Sequence, residues 1–307
     1  MEASIALKKV SKQLENRYIL SNLSFGIEKG SNFVVLGRNG EGKSTFLNLL
    51  AGIYTPTNGK IYIEGQEFNG DRSLIKKIGF MGDIPLYEDH LTVFENLERR
   101  AQFLEMTLTQ FTTNSKNLSK QFDLTPFFET KVSQCSMGIR KRLSIVLSLL
   151  HSPEIIIWDE PLAYLDFNIR RVLLDYLRMV KGEKTVVIAT NEFTELHTVA
   201  DRWIVLQNQG VRFDGDLEKM TTQVDLPFTG QVELKKEHPQ IISQLNELQD
   251  IDQVYETGNS IEFQCKGLHE FYSILKTIDN EAILRVSCNS IDLEELLNQL
   301  LSDEGLV

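Results

Sequence analysis

The sequence predicts an α/β fold, with a largely parallel sheet covered by helices and a second, smaller α+β domain behind it. Three observations carry this. An apolar run, Phe33-Val34-Val35-Leu36, passes directly into the glycine-rich segment GRNGEGKST at residues 37–45. Strand-like and helix-like segments alternate from residue 155 to residue 207, the order that a parallel sheet requires. The pattern then weakens into MTTQVDLPFT at residues 220–229, and a new series of short elements begins.

Strand-like runs at 4–10, 22–28, 32–36 and 60–64 dominate the start. A more polar, helix-prone stretch at 92–150 reads as an inserted helical subdomain of about residues 88–150. Strands at 155–158, 185–190 and 203–207 then alternate with helices at 168–180 and 192–200. This organisation gives a first domain at 1–220, a linker at 221–229 and a small domain at 230–307. In the small domain, strands at 230–235, 253–257, 260–264 and 282–287 interleave with helices at 239–248, 268–277 and 293–301, an order that suits a ferredoxin-like α+β unit.

A chain of 307 residues, 42% hydrophobic and 24% charged, has the composition of a folded protein long enough for two domains. Its net charge of −11 and pI near 5.1 speak against nucleic acid as the main partner, because that role needs a concentrated basic surface. The run Arg140-Lys141-Arg142 leaves room for a local basic patch. Cys135, Cys265 and Cys288 are far apart and form no C-x-x-C pair, which points to a reducing compartment and no structural zinc. The start, MEASIALKKVSK, has no apolar signal core, and apolar stretches such as 143–150 fall well short of the roughly 20 residues of a membrane span. The expectation is a soluble, cytoplasmic chain whose membrane role, if any, comes through a partner.

The segment at 37–45 fits the pattern G-x-x-x-x-G-K-[ST] at Gly37, Gly42, Lys43 and Ser44. A buried strand ends, and glycines turn the backbone so that its N–H groups line an anion nest. The helix starting near Lys43 then aims its positive N-terminus at the same place. Arg38, Asn39, Gly40, Glu41 and Thr45 complete the phosphate cradle, Lys43 reaches the β- and γ-phosphates, and the Ser44 hydroxyl is a ligand for Mg²⁺. The residues therefore point to a nucleoside triphosphate as ligand. A second element is the apolar strand Ile155-Ile156-Ile157-Trp158 running into Asp159-Glu160. Asp159 suits the Mg²⁺ shell, and Glu160 suits a base that polarises an attacking water.

Between these two lies Cys135-Ser136-Met137-Gly138-Ile139-Arg140-Lys141-Arg142-Leu143, which on its own is a helix start capped by Ser136. With the other motifs, it resembles the LSGGQ signature of the ATP-binding cassette family. The resemblance spans roughly residues 4–220, with Walker A, signature and Walker B in family order. It implies an ATPase cassette of the P-loop NTPase fold, with an antiparallel β subdomain and an inserted helical subdomain, that uses ATP and Mg²⁺. Two cassettes pack head to tail, as a homodimer or a heterodimer, and Ser136 and Gly138 of one clamp the γ-phosphate held by the other. Tyr18 is similar in position to the family aromatic that stacks on adenine, and Ala163-Tyr164-Leu165-Asp166 resembles the D-loop, in which Asp166 communicates across the dimer. Met137, where the family has glycine, is similar to cassettes of bacterial export systems. The small domain, with its ending Ser290-Ile291-Asp292-Leu293-Glu294-Glu295-Leu296-Leu297, resembles the accessory domain of export ATPases. The implied role is the ATPase subunit of an exporter, held at the inner face of the cell membrane by a separate membrane-spanning subunit.

Two positions depart from the family pattern. Asp83 stands where the family has a glutamine that touches Mg²⁺ and the lytic water; it can still ligate metal, but adds negative charge and cannot donate as an amide does. Asn191 stands in place of the switch histidine, so it hydrogen-bonds a phosphate oxygen without carrying positive charge or moving a proton. It also suits the cap of the helix at 192–200, where His197 is a poor substitute for the switch. The expectation is secure ATP binding with slow hydrolysis, or work beside a more active cassette. An ATP-sensing module with little catalysis, and a non-transport cassette, stay open as alternatives.

Overall fold

A computed structural model describes residues 3–191, 195–222, 228–235, 251–265, 275, 278 and 283–289. Its elements, in chain order, are β1 (Ala3–Leu14), β2 (Arg17–Glu28), β3 (Asn32–Leu36), α1 (Lys43–Leu50), β4 (Asn58–Ile63), β5 (Gln66–Glu67), α2 (Arg72–Ile75) and β6 (Ile78–Met81). Next come α3 (Val93–Phe103), α4 (Leu108–Gln121), α5 (Met137–Leu149), β7 (Ile155–Asp159), α6 (Phe167–Val180), β8 (Thr185–Ala189), β9 (Arg202–Gln207), β10 (Gly210–Gly215) and α7 (Leu217–Thr222). The last strands are β11 (Phe228–Leu234), β12 (Ile251–Thr257), β13 (Ser260–Cys265) and β14 (Ile283–Asn289). Contacts divide the chain into two compact units, Met1–Leu217 and Glu218–Val307.

In the first unit, one sheet has the order β10-β9-β3-β8-β7-β6. All neighbours in it are parallel except the edge pair β10–β9. Every residue of β3, β7 and β8 is buried, as expected of central strands that are covered on both faces. That burial explains their continuous apolar runs. An antiparallel sheet of order β2-β1-β4-β5 stands beside it, and the apolar faces of both sheets meet α1 in one core that includes Ile5, Leu20, Ile27, Phe33, Phe46 and Ile157.

The helical subdomain consists of α3, α4 and α5. Capping boxes start the first two: Thr92 Oγ1 accepts from Glu95 N at 3.1 Å, and Thr107 Oγ1 accepts from Gln110 N at 3.2 Å. Each cap typically contributes about 1 kcal/mol. α5 lies against β6, and Gly79 permits it: a Cβ there would stand 2.3 Å from the Ser148 carbonyl oxygen. Trp158 Nε1 donates to Ser148 Oγ at 2.9 Å and ties the same helix to β7. Gly79→Ala is expected to push α5 off the sheet and cost about 1–3 kcal/mol, read as a lowered thermal midpoint. An unchanged midpoint would show that the helix is not clamped there.

In the second unit, β11–β14 form an antiparallel sheet of order β12-β13-β11-β14 around Val232, Leu234, Ile261 and Phe263. Apart from Leu275, the expected helices at 239–248, 268–277 and 293–301 lie outside the described residues, as do the end pattern at 290–297 and linker residues 223–227. The rest of the linker stretch is regular: α7 runs to Thr222 and β11 begins at Phe228. One expectation in the first unit needs correction. Of the helix expected at 192–200, residues 192–194 lie outside the described set, and the remainder holds a single 3₁₀ turn, Leu196–Thr198. Leu196 and Val199 are buried there; the apolar spacing reflects a turn packed on the core rather than a helix face.

Candidate functional site

β3 delivers Leu36 into the loop, and Gly42, at φ +89°, is the N-cap of α1 without any side-chain cap. Only glycine suits it: besides the left-handed φ, a Cβ would lie 3.0 Å from both Ile19 Cγ2 and Leu20 Cδ2. The first N–H groups of α1 are thus left for an anion rather than for a serine or aspartate. Lys43 folds back over the loop, its Nζ donating to Gly37 O at 2.6 Å and Arg38 O at 3.4 Å. Burial lowers its pKa, and Glu160, Asp159 and Glu41 oppose that shift. Glu41 accepts from Asn208 N at 2.9 Å and braces the loop from outside.

The acids converge on the same place. Asp159 ends β7, and the Ser44 side chain hydrogen-bonds to it; burial raises its pKa, and the nearby Asp83 adds to the rise. Glu160 sits in a left-handed conformation, φ +45°. Its carboxylate accepts from Thr190 Oγ1 at 2.8 Å and from Asn191 N at 3.0 Å. With the Asn191 amide assigned so that its nitrogen faces this carboxylate, two further contacts form at 2.9 and 3.2 Å. Burial raises the pKa of Glu160 too, the direction that suits a base. Asn191 therefore addresses Glu160, and residues 195–200 form no α-helix for it to cap.

Together these groups enclose a cavity of about 390 Å³ lined by Ile19, Asn39, Gly40, Gly42, Lys43, Ser44, Thr45, Asp83, Asp159 and Glu160. Gly37 and Arg38 take part through their carbonyls on Lys43. The strand β2 contributes Ile19 to the lining, while its neighbour Tyr18 is 41% exposed outside that wall. The hydroxyl of Ser44 with the carboxylates of Asp159 and Asp83 is a small set of hard oxygen donors, which fits Mg²⁺ because that ion keeps several of its own waters. Among the described residues no group of three or more His, Cys, Asp and Glu forms a metal cage.

Ser136 and Gly138 stay away from this cavity. Ser136 is the N-cap of α5, accepting from Ile139 N at 3.4 Å, and Gly138 lies against the Tyr164 carbonyl. Asp166 caps α6 and pairs with Arg142. The start of α5 and the loop before α6 are thus neighbours, and beside them Met137, Tyr164 and Phe167 are 54%, 67% and 80% exposed.

Three contributors escaped sequence reasoning: Ile19, Thr190 and Lys141. Lys141 sits in the run Arg140-Lys141-Arg142, which forms no free basic patch. Arg140 bonds to Asp89 and to the carbonyls of Ser133 and Cys135, and Arg142 bonds to Asp123 and Asp166. Lys141 Nζ donates to the Asp159 carbonyl at 3.1 Å and faces Asp159, Glu160 and Asp83. Lys141→Gln leaves Lys43 to balance three carboxylates, and is expected to weaken MgATP binding by about tenfold. An unchanged affinity in a fluorescent-nucleotide titration would contradict this. The missed signal was position: Lys141 lies beyond Ser136 on one helix whose start alone was read.

Among the described residues no helix is long and apolar enough to cross a membrane. The ABC transporter family model matches residues 20–163. The chain is 30% identical over 203 residues to the ABC transporter ATP-binding protein NatA of Bacillus subtilis, covering 65% of this chain and 82% of that protein. It is 31% identical over 206 residues to the Nod factor export ATP-binding protein I of Rhizobium johnstonii, covering 66% of each. It is 28% identical over 224 residues to the Fe(3+) ions import ATP-binding protein FbpC of Photobacterium profundum, covering 72% of this chain and 62% of that one. Among solved structures, the dimeric ATP-binding cassette MJ0796 with ADP and Pi superposes with a TM-score of 0.64 at 28% identity, over 69% of this chain and 98% of that one. With phosphate loop, paired acids and signature in one α/β unit, and with these relatives, the chain belongs to the ATP-binding cassette family and is an ABC transporter ATP-binding subunit.

Proposed function

We propose that this subunit binds and hydrolyses MgATP to drive export through a separate membrane-spanning subunit at the inner face of the cell membrane. The observation that carries the reading is the convergence of Lys43, Ser44, Asp159 and Glu160 on one cavity at the bare N-terminus of α1. In it, Lys43 leaves the Gly37 and Arg38 carbonyls for the β- and γ-phosphates. Ser44 and Asp159, with Asp83, would hold Mg²⁺, which would supply charge neutralisation at the phosphates. Glu160 orients and deprotonates the attacking water. Tyr18 stands at the exposed rim for the adenine.

Ser136 and Gly138 lie outside the cavity of their own chain, so they complete the site of a second cassette, identical or related. The dimeric form of the solved cassette MJ0796 supports this. Relatives named for import and for export share the cassette; support for export comes from Met137 in the signature and from the resemblance of the second unit to an accessory domain, with a regulatory or dimer-supporting role. Asp166 links the two cassettes through the D-loop.

Turnover is slow in this reading, because Glu160 is held by Thr190 and Asn191 and Asn191 cannot take up a proton. Asn191→His is expected to raise ATP turnover at pH 7 by about tenfold or more, since a positioned proton-handling group contributes about 10²–10⁴. Phosphate release by the purified protein with its membrane partner measures it. An ordinary exporter rate in the unaltered protein, with no gain in the variant, would remove the slow-site reading.

A further inference from the structure

Away from the nucleotide site, the helical subdomain holds a larger cavity of about 570 Å³ between α3, α4 and the turn after α4. Its lining is mostly apolar. Phe94 joins the other two rings, with centroids 6.0 Å from Phe111 and 5.2 Å from Phe128. Volumes of this size suit small organic ligands.

Most of the polar side chains that line it stand on α4, with Asp123 and Thr125 in the turn that follows. Along α4, Phe111, Ser115 and Ser119 recur at i, i+4 and i+8, and Lys116 and Lys120 stand beside them at one helical turn's separation. Ser119 is wholly buried, and its hydroxyl has no hydrogen-bond partner. A buried hydroxyl left unsatisfied carries a penalty that a ligand acceptor would remove. Asp123, the acid in the same wall, is taken by Arg142 at 3.3 Å. Lys116 and Lys120 have no acidic partner among the described residues. In a chain of net charge −11, two unpaired lysines over an aromatic hollow are a local feature that favours an anion.

We propose that this cavity binds a free amphipathic monoanion: an alkyl or aryl body against Phe94, Phe111 and Phe128, with a carboxylate or sulfonate that accepts from Ser119 and pairs with Lys116 and Lys120. The helix starts in a capping box at Thr107 and packs Phe122 into the core at its other end, so the backbone of this wall is preformed.

The test uses the full chain with 1-anilinonaphthalene-8-sulfonate as probe and dodecanoate as competitor below its micellar range, and dodecyltrimethylammonium as the control of opposite charge. The expected result is one probe site per chain, displaced by dodecanoate and at least tenfold less well by the cation. Ser119→Ala is expected to raise the probe Kd about threefold to tenfold, and the double variant Lys116→Gln/Lys120→Gln about tenfold. Nucleotide affinity is expected to stay unchanged in both, which also shows that they are folded. Equal displacement by the cation, unchanged Kd in both variants, or no binding at millimolar dodecanoate would overturn the assignment. Binding to anionic phospholipid vesicles without competition from dodecanoate would also overturn it, by placing the lysines on a membrane surface instead.

Discussion

Lys43→Ala is expected to abolish nucleotide binding while leaving the fold intact. The lysine is the one side-chain cation that α1 brings to the phosphate cradle, and it already reaches across the loop to Gly37 O at 2.6 Å. Charge-assisted hydrogen bonds are each worth about 1.5–3 kcal/mol. Losing two of them to the β- and γ-phosphates raises Kd by at least about 100-fold. The variant is expected to lose little stability, because burial already disfavours the charged ammonium. Equilibrium binding of a fluorescent ATP analogue checks the affinity, and thermal melting without nucleotide checks the fold. Retained affinity would place the phosphates elsewhere.

Glu160→Gln is expected to separate binding from turnover. Glutamine keeps the size of the side chain, and its amide can still accept from Asn191 N while the Thr190 hydroxyl rotates to accept from it. What disappears is the base. Turnover should fall by about 10²–10⁴, nucleotide affinity should stay within about threefold, and the ATP-bound dimer should persist longer than that of the unaltered protein. Single-turnover phosphate release beside light scattering distinguishes these effects. Unaltered turnover would exclude Glu160 as the group that polarises water.

Much of the site was legible because its residues are adjacent in the chain. Gly37 to Thr45 and Asp159-Glu160 each sit at the end of a fully buried strand, and an apolar run broken by glycines or acids marks such an end without ambiguity. The central strands were readable for the same reason. β1 and β2 run longer than their apolar cores because pairing with each other, not burial, continues them to Leu14 and Arg17. β6 was missed as a strand: Ile78–Met81 is short, and only its place at the edge beside β7 makes it one. The partners of Glu160 were illegible because Thr190 and Asn191 reach it from just past the end of another strand, β8. Lys141 was hidden in a basic run whose three members turn to three different partners. The helix expected at 192–200 failed because apolar spacing over so few residues fits a 3₁₀ turn as well as an α-helix.

The most direct measurement is a calorimetric titration of MgATP into the purified chain and into its Lys43→Ala variant. Saturable binding with one nucleotide per chain in the first, and none in the second, is the expected result. No heat from the unaltered chain at millimolar MgATP, or equal binding by both proteins, would contradict the assignment of the cavity before α1 as the triphosphate site.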